Sequence, residues 1–139
     1  MSHYRFSFES SIRHSDELRC CIRTLSRIEG YSEEFSSDLE LSIHEAFVNA
    51  VMHGNKENPD LVVSVTLSAK AAAAGCALEA RVMDSGKGFD LLNIPDPSSG
   101  DALHALNGRG LLLISHFASS VSVEPVTEGS VLLLHYIPF

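Results

Sequence analysis

The stretch Glu40–Asn55, "ELSIHEAFVNAVMHGN", places Glu45, Asn49 and His53 four residues apart among apolar neighbours. At about 100° per residue, those three side chains fall on one line of a helix, and Asp38 and Ser42 extend it backwards. Leu39, Ile43, Ala46, Phe47 and Ala50 flank the line on one side, and Leu41, Val48 and Met52 on the other. A surface helix ordinarily turns a single apolar face to the core. Here the polar line is narrow and both of its flanks are apolar. A carboxylate sunk in such a groove is costly unless something pairs with it. Glu45 and Asn49 therefore call for a partner.

Working outward, "HYRFSFES" alternates Tyr4, Phe6 and Phe8 against polar neighbours, the pattern of a half-buried strand. Ser15 is an N-cap candidate for a helix carrying Leu18, Cys21, Ile22, Leu25 and Ile28, which Gly30 would end. For the second helix, Ser37 to Glu40 has capping-box spacing, and Ser32 offers an earlier start. This helix is expected to stop near Gly54, before the turn-rich "GNKENPD". "LVVSVTLSA" and "CALEARVMDS" read as strands joined by "KAAAAG", an alanine run too short to stand alone as a helix. A long Gly-, Pro-, Ser- and Asp-rich segment follows, then a helix candidate "LLLISHFA". Two more strands, "SSVSVEPV" and "SVLLLHYIPF", are joined by the turn "TEG". Helices and strands are segregated along the chain, which predicts an α+β fold with a mixed, mostly antiparallel sheet.

The chain has 139 residues, of which 45% are hydrophobic and 20% charged, and reads as a single domain spanning 1–139 with a sizeable core. Its formal charge of -8, with no local basic patch, argues against a nucleic-acid surface. Three cysteines, an odd count, make no disulfide framework and point to free thiols in a reducing cytoplasm. No signal-peptide apolar region and no apolar run of about 20 residues is visible, so neither secretion nor membrane insertion is expected.

Three segments carry chemistry. On the helix, Glu45 is a candidate general base, and Asn49 offers a neutral oxygen suited to Mg²⁺, which takes few protein ligands. The alternative is a polar edge facing solvent. In "DSGKGFD", Asp84 ends a strand where it could accept a hydrogen bond from an exocyclic amine, and Gly86 and Gly88 let the backbone come close to a ligand. An ordinary Asp-Ser-Gly turn would look the same. In "NGRGLLLI", Gly108 and Gly110 surround Arg109 ahead of an apolar helix whose free N-terminal amides suit phosphate. A plain loop-to-helix junction is the competing reading.

In this order, the three segments resemble the N box and the two glycine boxes of the ATPase superfamily of gyrase, heat-shock chaperones, histidine kinases and MutL. Within it they are most similar to the bacterial anti-sigma factor serine/threonine kinases. The resemblance covers roughly Phe6 to Ile137, with its specific motifs between Glu40 and Ile114. It implies a two-layer sandwich with helices on one face of the sheet. Glu45 becomes the catalytic base and Asn49 the Mg²⁺ ligand, with His53 in a positional role on the same face. Asp84 would bind the adenine amino group, with Gly86 and Gly88 bordering the base. Residues from about Asp90 to Gly108 become the ATP lid, and Gly108, Arg109, Gly110 and Leu111 meet the phosphates; Lys87 is a further phosphate contact or a solvent-exposed cation. The implied cofactors are ATP and Mg²⁺. The implied activity is phosphorylation of a Ser or Thr on an anti-sigma factor antagonist of the STAS type by a homodimer that also holds a sigma factor. A partner-switching module that binds ATP with little phosphotransfer is the alternative. Within these residues there is no phosphoacceptor-histidine helix pair, so histidine autophosphorylation is not expected.

Overall fold

The structure, a computed structural model, describes residues 2–72, 75–85, 114, 117–126 and 129–136. Strand β1 (Ser2–Glu9) leads through a 3₁₀ turn, Ile12–His14, into α1 (Ser15–Glu29) and then α2 (Glu33–Asn49). A π turn, Ala50–Gly54, continues α2, and β2 (Val62–Ala72), β3 (Gly75–Asp84), β4 (Ser120–Val126) and β5 (Gly129–Tyr136) complete the order. The sheet runs β1-β2-β3-β5-β4. Every pairing among these strands is antiparallel, which narrows the mixed, mostly antiparallel sheet expected from sequence. The α1–α2 hairpin supplies the reason. A parallel neighbour needs a crossover that returns the chain to the end where the strand began. Two antiparallel helices go out and come back, so β2 starts where β1 finished.

Helix boundaries follow local chemistry. Ser32, not Ser37, caps α2: its hydroxyl accepts from the Phe35 amide at 3.1 Å. Glu40 is thereby free of any capping duty and pairs instead with Arg19 at 2.7 Å and Arg23 at 3.0 Å on α1. Ser15 lies inside α1, because Ser11 starts the preceding 3₁₀ turn by accepting from the Arg13 amide. Gly30 ends α1 at φ 75, a left-handed cap that favours glycine. Of the alanines expected to connect β2 and β3, Ala71 and Ala72 belong to β2, pairing with Cys76 and Gly75.

The two helices lie on one face of the sheet and share one core with it. Leu18, Ile22 and Leu25 of α1 and Leu39, Ile43 and Phe47 of α2 meet Val63, Val65 and Leu67 of β2. Ala80 and Val82 of β3 and Leu132 and Leu134 of β5 close the cluster. Tyr4, Phe6 and Phe8 add half-buried aromatic surface at the β1 edge. The result is an α+β two-layer sandwich, and it fixes α2 with its polar line running toward the end of β3.

Candidate functional site

The apolar flanks of α2 are unequal: Leu39, Ile43, Ala46, Phe47 and Ala50 are buried, whereas Leu41, Val48 and Met52 are half-buried. The polar line between them divides in two. At its start Ser42 is anchored, donating to the Leu39 carbonyl at 3.1 Å and lying 2.5 Å from the Tyr136 hydroxyl. Ser42 has one proton, and Leu39 takes it, so Tyr136 donates to Ser42. Further along, the partners run out. The Asn49 side chain is 94% buried by its residue exposure of 6%, yet its Nδ2 has no partner among the described residues. The same holds for Nε2 of His53. Buried polar atoms in folded proteins are nearly always hydrogen-bonded. Two orphans on consecutive turns of one helix therefore fit a polar ligand arriving from outside. Glu45 keeps partial access to solvent, and His44 Nδ1 lies 3.6 Å from its Oε1, beyond hydrogen-bond reach.

The end of the helix is wound wider than sequence periodicity assumes. The Asn55 amide bonds Ala50 O at 2.8 Å, five residues back, and this π turn carries His53 off the straight line through Glu45 and Asn49. Such turns recur at functional sites. The chain then reverses through Lys56 and Glu57, both left-handed at φ 53 and 60. For residues other than glycine that conformation costs about 1–2 kcal/mol each. The Glu57 amide bonds Val51 O at 2.7 Å, which ties the reversal back to the π turn.

Asp84, at the end of β3, is buried and sits against this turn. A Cβ on Gly54 would fall 2.3 Å from Asp84 Cγ, and one on Gly129, at φ 144, would fall 1.9 Å from the Asp84 carbonyl oxygen. Two glycines from distant segments thus make the seat of this one aspartate. Asn55 adds a third tie. Its Oδ1 accepts from the Ser85 amide at 2.7 Å, and its Nδ2 donates to Val62 O at 3.2 Å. The structure brings Asp84 to the helix segment that follows Asn49, as a shared pocket requires. Gly86, Lys87, Gly88, Gly108, Arg109, Gly110 and Leu111, with the expected lid, lie outside the described residues. Of the expected helix after them, Ile114 and Phe117 are described as helical, and the Ala118 amide bonds Ile114 O at 2.9 Å. Sequence reasoning missed Gly54, Asn55 and Gly129. Gly54 had read only as a helix stop and Gly129 only as a turn residue.

The family model of the histidine kinase-like ATPase domain matches residues 8–136. The chain belongs to the histidine kinase-like ATPase family. Its fold is also that of a solved structure, the RsbU and RsbW domains of Rv1364c from Mycobacterium tuberculosis, at a TM-score of 0.64 and 19% identity. That match covers 98% of this chain and 32% of the other, so this chain spans about a third of the solved chain's length. No curated protein matches the chain. The orphaned amide of Asn49 lies on α2 and the seated carboxylate of Asp84 ends β3, the two elements whose sequences resemble the N box and the first glycine box. Among the described residues no group of three or more His, Cys, Asp and Glu side chains could hold a metal by itself.

Proposed function

We propose that this domain binds ATP with Mg²⁺ between α2 and the end of β3 and transfers the γ-phosphoryl group to a Ser or Thr of an anti-sigma factor antagonist. The observation that carries the reading is the buried amide of Asn49 without a protein partner, on the helix whose end packs against Asp84. Asn49 would offer its Oδ1 to Mg²⁺, while its unpartnered Nδ2, a donor, would meet an acceptor such as a phosphate oxygen. A site with one neutral protein oxygen suits a cation that keeps its waters and phosphate oxygens. Asp84 would accept from the adenine amino group, and its burial makes that bond selective because a base with a carbonyl there would set an acceptor against the carboxylate. Glu45, still reachable from solvent, would take the proton of the attacking hydroxyl. ATP brings the activated phosphoryl group; the chain positions it and the acceptor.

The partners follow the same reading. The domain would act in the cytoplasm as a homodimer, holding a sigma factor until an unphosphorylated STAS-type antagonist competes for it. Among the described residues no helix is long and apolar enough to cross a membrane. Incubation with γ-labelled ATP, Mg²⁺ and candidate antagonists tests the enzyme. Label on a Ser or Thr of the antagonist is the expected result. Tight ATP binding that alters partner capture with no label transferred would instead establish the switch without phosphotransfer.

A further inference from the structure

The ties around Asp84 have a use beyond packing. Asn55 is 3% exposed and holds two segments at once: the Ser85 amide, directly after Asp84, and the Val62 carbonyl at the start of β2. Its own amide closes the π turn on Ala50, and its carbonyl accepts from the Asn58 amide at 3.1 Å, so it is fixed from four directions. Gly54, the preceding residue, lies flat against the Asp84 carboxylate, where a Cβ would stand 2.3 Å from Oδ2 and 2.8 Å from Oδ1.

We infer that the Gly54–Asn55 pair positions Asp84 as the base-selecting group, Asn55 by pinning the backbone after it and Gly54 by leaving room for its carboxylate. Asn55 is thus a specificity-determining positioning residue that need not touch the nucleotide. This rests on the nucleotide reading proposed above. The chemistry is geometric. A hydrogen bond to a carboxylate weakens steeply once the angle or distance drifts. With the Ser85 amide pinned and the carboxylate wall set by a glycine, Asp84 has one aim. Loosening either contact leaves the pocket and its phosphate contacts in place and spoils the aim alone.

The test compares ATP with inosine triphosphate, which carries a carbonyl where adenine has its amino group. Affinities of the full chain for both are measured by calorimetry in Mg²⁺. Parent protein is expected to prefer ATP by about tenfold or more, the scale of one charge-assisted hydrogen bond. Absence of that preference in the parent would reject the adenine role of Asp84 itself. Given the preference, Asn55→Ala and Gly54→Ala should bring the ratio toward one while the affinity for inosine triphosphate holds. A general loss of stability would lower both affinities and leave the ratio where it was, and a parent-like ratio in both folded variants would overturn the inference. If Asn55→Ala does not fold, Asn55→Asp replaces it, being of the same size and keeping an oxygen opposite the Ser85 amide. A retained preference for ATP in Asn55→Asp agrees with the pinning through that oxygen, and a preference retained equally in folded Asn55→Leu, which has no oxygen to offer, contradicts it.

Discussion

Glu45 and Asn49 are one helical turn apart and yet differ in surroundings, one reachable from solvent and the other buried with an unmet amide. Their substitution should therefore separate binding from chemistry. Asn49→Ala is expected to weaken nucleotide binding in Mg²⁺ and to change it little in a chelator. Calorimetry giving parent-like affinity in Mg²⁺ would remove the metal role. Glu45→Ala should bind ATP normally and lose phosphotransfer by about 10²–10⁴, the usual contribution of a positioned base. Undiminished label transfer in that variant would reassign the base. Both could be singled out in the sequence because the proposed roles depend on residue type and helical spacing. Gly54, Asn55 and Gly129 could not. Their role is a close approach between segments far apart in the chain, such as Asn55 to Ser85, and no local pattern encodes it.

Among the elements, α2 is tied to both of its neighbours by polar contacts with opposite pH signatures. To α1 it is joined by Glu40, whose carboxyl is held below its ordinary range first by the Arg23 hydrogen bond and then by Arg19, against the pull of partial burial. A lowered folded-state value means stability that is present above the ordinary glutamate range and is lost as pH falls through the lowered one. Glu40→Gln should flatten the acid branch of the stability curve, read from urea midpoints between pH 3 and 6; an unchanged slope would contradict the pairing. To β5, α2 is joined by the Tyr136 hydroxyl, whose proton burial retains well above the usual phenol value. That sign is reversed: the contribution is complete below about pH 10 and is lost as pH rises beyond it. Tyr136→Phe should cost about 1 kcal/mol at neutral pH and reduce the alkaline loss of stability. Equal alkaline slopes for parent and variant would show that Tyr136 is not the group responsible. The strands, both helices and the Gly30 stop were legible from periodicity and caps. The π turn was not, because a single extra residue in a helix leaves no mark on a pattern with a four-residue repeat.

For the whole molecule, segregated helices and strands gave the α+β class. The all-antiparallel sheet follows from a helical hairpin between β1 and β2, which the sequence shows as two helices but not as a direction. The chain's charge of -8 also bears on turnover. A phosphorylated antagonist gains about -1.5 to -2 charge and faces an acidic domain, so repulsion should speed its release. Pull-down of an antagonist and its Ser→Asp form at low and moderate salt checks this; equally tight capture of both in both salts would contradict it. Every such step requires nucleotide at the proposed site between α2 and β3. Titration of ATP with Mg²⁺ into the parent chain and into Asp84→Asn, followed by calorimetry, is the most direct test of that claim. The account predicts one ATP per chain, with affinity reduced by about 1.5–3 kcal/mol in Asp84→Asn, where an amide presents donors to the adenine amino group. No binding to the parent, or equal binding to both proteins, would contradict it.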